Sequence, residues 1–220
     1  MVIRLIFILN SFLCLSSIFS QVQIQDPLSG RLLSVSKYGG INGNPFLYDR
    51  WTNGDVIIKK GVYANILLKY DAFSNVLYFN RNEELFEFED EVLSFVLKPV
   101  REDSSTYQFF VKGLEGVDVK SNQFLQELYK GKYGFYKATF VFLSEMNKIN
   151  EGTVKSFQKA EKYYFKSDDK ISQVILNKKD VLALFGKRQI DVESFATAAG
   201  LTYKKESDLL KMIQYFDTIQ

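Results

Sequence analysis

The sequence predicts an α+β fold: a curved, mainly antiparallel β-sheet, a β-meander that is partly barrel-like, capped by short C-terminal helices. Three observations carry this expectation. From Val56 to Phe88 apolar and polar residues alternate with a period of two, as half-buried antiparallel strands require. The chain holds 20 Phe and 13 Tyr against 3 Pro and 1 Trp, an aromatic load that favours strands and a large core. From Lys178 onward the apolar spacing lengthens to about 3.6 residues, the period of an amphipathic helix.

Taken in order, Gln21 to Gly30 is polar, contains Pro27 and reads as an extended entry segment, and Arg31 to Tyr38 reads as a short strand. The glycine-rich run Gly39 to Trp51 resembles a phosphate loop only superficially. It lacks the terminal Gly-Lys-Ser/Thr and a following helix, so it reads as a turn packing Phe46 and Trp51 onto the edge of the core. Strands are expected at Val56 to Lys60, Tyr63 to Tyr70 and Asn75 to Phe79, with a fourth near Leu85 to Glu89. Gly61, Asp71 with Ser74-Asn75, and Asn80 to Asn82 supply the turns. Val92 to Val100, Tyr107 to Val111, Phe124 to Tyr129, Tyr133 to Phe142, Phe157 to Phe165 and Ile171 to Asn177 continue the pattern. Gly131 suits a turn position of positive φ, and the polar stretch Ser144 to Ser156 reads as the longest loop. Helices follow at Asp180 to Phe185, at Val192 to Ala199 with Asp191 as N-cap and Gly200 as C′ glycine, and at Glu206 to Ile219. No Pro-, Ser- or Gly-rich linker divides the chain. The expected organisation is a cleaved leader, 1–20, and one domain, 21–220, β-rich over 31–177 and helical over 178–220.

The leader sets the expected address. Arg4 precedes an apolar run from Leu5 to Phe19, which Asn10, Ser11, Ser16 and Ser17 interrupt. A spanning helix needs about twenty apolar residues, so the run reads as a secretory signal cut after Ser20, with the mature protein periplasmic or extracellular, or associated with an outer membrane. Cys14 lies in mid-run after Leu13, which does not fit a lipobox. With the leader goes the only cysteine, and the chain has no histidine. Disulfides, Cys or His metal sites, thiol nucleophiles and His bases are thereby excluded from the mature protein.

The run NPFLYDRWTNGDV, then Gly61, YANILLKYD and NVLYF, resembles the N-terminal part of an uncharacterised family of small secreted proteins of Gram-negative envelopes. That family has a similar progression of Gly-x-Pro-aromatic-Leu, Trp-x-x-Gly and Tyr-x-Asn-x-x-Leu-x-Tyr. The resemblance extends more loosely to Leu128 to Lys132 and to Tyr163-Tyr164. It implies a compartment and a fold type, and carries over no functional residue.

Chemistry is sparse. Glu83, Glu84, Glu87, Glu89, Asp90 and Glu91 could bind calcium or form an acid and base pair for glycoside hydrolysis, but Phe86 and Phe88 alternate with Glu87 and Glu89 as on a strand with one wet face. Lys130, Lys132 and Lys137 interleave with Tyr133, Phe135, Tyr136, Phe140 and Phe142, a pattern able to stack bases or sugars, though core packing accounts for at least half of the rings. The formal net charge of +2 gives no field to steer nucleic acid. No catalytic, cofactor-binding or metal-ligating residue is assigned, and Phe46, Tyr48 and Trp51 stay unassigned beside their glycine-rich loop. No cofactor, nucleic-acid partner or integral membrane span in the mature chain is expected. The function expected is that of an exported, non-enzymatic envelope protein binding a hydrophobic or glycan ligand or docking on an envelope partner. The alternative is a carboxylate-dependent glycan hydrolase using Glu83 to Glu91.

Overall fold

The alternating stretch forms four antiparallel strands, β2 (Thr52–Ile58), β3 (Gly61–Asp71), β4 (Val76–Arg81) and β5 (Glu84–Phe88), in a computed structural model that describes residues 30–32, 35–116, 119–148 and 152–219. The expected leader and its cleavage point lie outside the described residues. A short β1 (Gly30–Leu32) pairs with β5, and Val35–Tyr38 is a 3-10 turn, so the strand expected at Arg31 to Tyr38 is shorter and ends earlier. The chain then returns to the far side of β2 with β6 (Val92–Lys98) and continues through β7 (Gln108–Val111), β8 (Leu125–Lys130), β9 (Tyr133–Lys148), β10 (Gly152–Ser167) and β11 (Lys170–Val174). The result is one open sheet of eleven strands in the order β1-β5-β4-β3-β2-β6-β7-β8-β9-β10-β11, every neighbour antiparallel.

Bulges and turns impose the curvature. Asp55 on β2 faces two residues of β3, and its carboxylate accepts from the Asn65 amide at 2.9 Å while Asn65 takes φ 55°. Such insertions raise the local twist. At Gly54 a Cβ would lie 2.3 Å from the Val96 carbonyl oxygen, so only glycine lets β2 approach β6 there. Asn82 and Glu83 both take positive φ and close the β4–β5 hairpin. Gly131 does not take positive φ, contrary to expectation. A side chain there would meet Asp217 Oδ2 at 2.1 Å and the Tyr129 hydroxyl at 2.5 Å, so glycine serves close approach instead.

Ser144 to Ser156 is not a loop. β9 and β10 run 16 residues each as a paired ribbon through it, with residues 149–151 outside the description. Glu145 pairs with Lys155 at 3.0 Å and the Thr153 hydroxyl donates to Asn147 at 2.8 Å. Because the ribbon outreaches β8 and β11 it is wet on both faces, which removes the alternation that marks a strand.

Cross-strand register shows how the faces are used. Tyr63, Val56, Phe95, Phe110, Gln126, Lys137, Tyr163 and Val174 form one row on one face. At one end this face holds a core of Val56, Leu68, Leu77, Phe79, Phe95, Leu97 and Phe110 with Phe124, in which Phe95 and Phe110 stack at 4.5 Å. At the other end Phe135, Phe165 and Val174 are covered by α1 (Lys178–Ala183), α2 (Gln189–Ala198) and α3 (Glu206–Thr218), through Val181, Phe185, Val192, Leu209, Met212, Ile213 and Phe216. Asn177 caps α1 by accepting from the Asp180 amide. Asp191 does not cap α2, which begins two residues earlier; it lies in the first turn, ion-paired with Arg188 at 2.9 Å. Gly200, at φ 64°, does close α2, with the Leu201 amide donating to Ala196 and the Gly200 amide to Thr197.

The β3–β4 turn binds these parts together. Asp71 is fully buried; its Oδ1 accepts from the amides of Phe73 and Ser74 at 3.0 and 2.9 Å, and its Oδ2 from the Tyr38 hydroxyl at 2.5 Å. Three donors, two of them backbone amides, offset the cost of removing a carboxylate from water. Asn75 accepts from the Tyr70 hydroxyl and the Phe124 amide and donates to the Asn122 carbonyl. The glycine-rich loop is a strap rather than an edge turn: Asn42 pairs with β10 through Lys155 and Phe157, while Pro45 accepts from the amides of Ala72 and Phe73 and the Leu47 amide donates to Tyr70.

Asp71→Ala leaves two buried amides and a phenol unpaired, and lowers stability to urea by about 3 kcal/mol or more, whereas Tyr38→Phe costs about 1 kcal/mol. Alkali tests the same interior. Burial raises the pKa of Tyr70, burial and then the hydrogen bond to Asp71 raise that of Tyr38, and burial and then the hydrogen bond to Glu161 raise that of Tyr163. An unfolded tyrosine ionises near pH ~10, so above that pH the unfolded chain binds fewer protons than the fold and stability falls as pH rises. Ultraviolet titration shows these phenols ionising together with loss of the β-sheet circular dichroism, not before it.

Candidate functional site

The acidic stretch is placed as a strand face. Phe86 and Phe88 turn to the core, while Glu87 stands opposite Tyr78 and Arg31 on the other face. Three of its carboxylates have separate cation partners: Glu87 with Arg31 at 2.6 Å, Asp90 with Lys60 at 2.9 Å and Glu91 with Lys112 at 2.9 Å. The hydrogen bond and charge of Lys112 hold the Glu91 carboxyl below the usual range. Glu87 and Asp90 line an open depression of about 290 Å³ together with Lys112 and Asn122. Among the described residues no grouping of three or more acidic side chains is arranged to hold a metal ion.

The aromatic and lysine band of β8 and β9 splits between two faces. Tyr133 packs on Phe165 and Phe216 beneath the helices, and Tyr136 packs on the opposite face. Lys137 is committed to Glu206 at 2.8 Å, with Glu161 at 3.8 Å and the Tyr163 hydroxyl donating to Glu161. Lys130 and Lys132 are exposed, and of the rings Phe142 is exposed and Phe140 half-buried, 6.4 Å apart.

Two surfaces remain that sequence reading did not find. The first is the outer face of β3, β2, β6 and β7. On β8 to β11 that same face is covered: Leu125, Tyr136, Ala138, Tyr164 and Ile171 pack with Leu114 and Val119, from the segment bonded to β11 at Gly116. Around Ile57, Val62, Leu93 and Phe109 no cluster of described residues plays this part, whereas at the other end of β3 Phe46 and Trp51 lie against Lys69. Ile57 and Val62 stand opposite each other, 44% and 49% exposed, Leu93 bulges beside them, and Phe109, opposite Val96, is 48% exposed. Several exposed apolar side chains on one sheet face mark an interaction site more often than single stray ones do. The period of two did reveal the strands, but not which wet faces are apolar by design.

The second surface is a cleft of about 400 Å³ at the end of the same face, where Trp51 and Asn53 of the β2 entry face Lys98 and the Pro99 to Glu102 turn that leaves β6. Trp51 was left unassigned in the sequence, and Phe46 beside it packs edge-on against Tyr78 at 6.4 Å. Lys69 lies over both rings, 4.5 Å from Phe46 and 5.7 Å from Trp51; burial lowers its pKa and Asp49 opposes the shift.

If the exposed apolar residues of the outer face are not part of a core, Phe109→Ser changes stability by less than about 0.5 kcal/mol, while Phe95→Ala, across the sheet, costs about 3 to 5 kcal/mol in the same urea titration. No helix among the described residues is long and apolar enough to cross a membrane. Comparison with protein-family models, with curated protein sequences and with solved structures finds no match to this chain.

Proposed function

We propose that this protein is an exported, non-enzymatic module of the cell envelope that docks on a partner protein through the outer face of β3, β2, β6 and β7. The observation that carries the reading is the contrast between the sheet's two faces. The inner face is filled by its own side chains: Leu68, Phe79, Phe95 and Leu97 are all but inaccessible, which leaves no room for a hydrophobic cargo. The outer face presents Ile57 and Val62, paired across β2 and β3, with Leu93 in the β6 bulge and Phe109 in the neighbouring row beside Val96, all exposed to solvent. A sheet face whose other half is covered by a segment of the same chain is suited to the same kind of cover from a second protein. The leader-like N-terminus and the resemblance to secreted envelope proteins support the address. The hydrolase alternative draws less support, since Glu87, Asp90 and Glu91 each answer to a lysine or arginine of their own.

A photo-crosslinking residue placed at Phe109, in the cells that make the protein, tests this. A discrete adduct is expected there and not at Lys187 on the helical end, and Ile57→Asp should abolish it. Equal labelling at both positions, or none at Phe109, removes the docking reading.

A further inference from the structure

The cleft at Trp51 carries a second inference, independent of the docking face. Its cations are differently engaged from those elsewhere. Arg31 and Arg188 sit in ion pairs with Glu87 and Asp191, and Lys98, inside the cleft, is neutralised by Asp55 at 2.6 Å. Arg50 and Arg101, by contrast, meet no carboxylate among the described residues. The one bond of the Arg50 guanidinium is to the Pro99 carbonyl at 3.4 Å, and Arg101 is held by its backbone, whose carbonyl accepts from the Tyr107 hydroxyl at 2.6 Å. Two guanidinium groups with no carboxylate partner among the described residues line a cleft walled by a half-buried indole, Arg50 spending one N–H on the Pro99 carbonyl.

That set has a recognisable chemistry. A guanidinium fork matches a carboxylate in bidentate geometry. An indole offers a broad apolar face with a polar edge, suited to the C–H face of a sugar ring. The Asn53 amide and the Glu102 carboxylate supply a donor and acceptors for hydroxyl groups. The cleft is open and at the small end of ligand sites, which fits a segment of a chain lying across it rather than an engulfed small molecule. We propose that this cleft binds an acidic oligosaccharide, with a uronic-acid ring against Trp51 and its carboxylate held by Arg50 and Arg101.

The chain has 1 Trp among 13 Tyr, so fluorescence excited at the red edge, where tyrosine does not absorb, reports this site alone. Titration of the purified protein with tri-galacturonate should quench or shift the emission, while maltotriose, uncharged and of the same length, should not. Arg50→Ala and Arg101→Ala should each weaken the tri-galacturonate response about tenfold, with the emission of the free protein unchanged. Phe109→Lys, on the docking face, should leave the response intact, which separates this inference from the docking reading. No Trp51 response to tri-galacturonate overturns the proposal. So does an equal response to maltotriose, a response to inorganic phosphate at the same concentration, or a response that survives loss of both arginines.

Discussion

A carboxylate removed from water sets the terms on which the rest of this sheet folds. Asp71 has no solvent to answer its charge, so the turn that carries it must present the Phe73 and Ser74 amides, and the Tyr38 phenol must arrive from a separate part of the chain. Tyr38 in turn packs edge-on against Phe73 and against Phe157 of β10, at 5.9 and 5.4 Å. The turn backbone also accepts from the Val141 amide of β9 through Ala72. One polar group therefore ties β3 to β9 and β10, five and six places away in sheet order, and the sheet curls to let them meet. A long open sheet curls or splits in any case; the buried network chooses where the ends come to rest.

The strap from Asn42 to Leu47 is the covalent counterpart of that curl. Gly43 takes φ 87° beside the Phe157 carbonyl, and the Asn44 side chain accepts from the Phe46 amide, so the strap leaves β10 and reaches β3 without a regular element. Its polar groups are satisfied at both ends. The glycine content that resembles a phosphate loop thus answers to backbone path and not to an anion. Curling also divides the sheet's outer face. Where Leu114, Gly116 and Val119 lie across β8 to β11, that face becomes a second core; where the sheet bends away, Ile57, Val62 and Phe109 are left outward.

Most strands were legible because one wet face and one dry face write a period of two directly into the sequence. Phe86, Glu87 and Phe88 are an instance, and Glu206 to Thr218 did the same for the helical period. The signal failed wherever both faces share one environment. The described part of the β9–β10 ribbon within Ser144 to Ser156 is mostly exposed, with no dry face to set a period of two, and looked like a loop. Local rules failed where a distant side chain decided the matter: Gly131 is glycine because of Asp217, 86 residues later in the chain, a constraint no turn preference encodes. The strand order was not legible either, since nothing local says that β6 returns to the free edge of β2. That return makes the cleft. Trp51 stood out in the sequence as the single indole beside a glycine-rich loop, but Arg101 joins it only through the β2–β6 pairing.

The Trp-x-x-Gly spacing of Trp51 and Gly54 then acquires a physical meaning. Gly54 stands opposite Leu97, and any Cβ would strike the Val96 carbonyl and the Leu68 side chain. Without a side chain there, β2 and β6 close fully, which sets Asn53 opposite Lys98 at the foot of the cleft and brings the Pro99 to Glu102 turn level with Arg50 and Trp51. A larger residue would part the two strands at a buried point and displace the floor of the cleft together with Ile57 on β2 and Phe109 beyond β6. The two outer surfaces therefore share one support. Their side chains are free of the core's packing demands, while their spacing is fixed by a glycine that never reaches the surface.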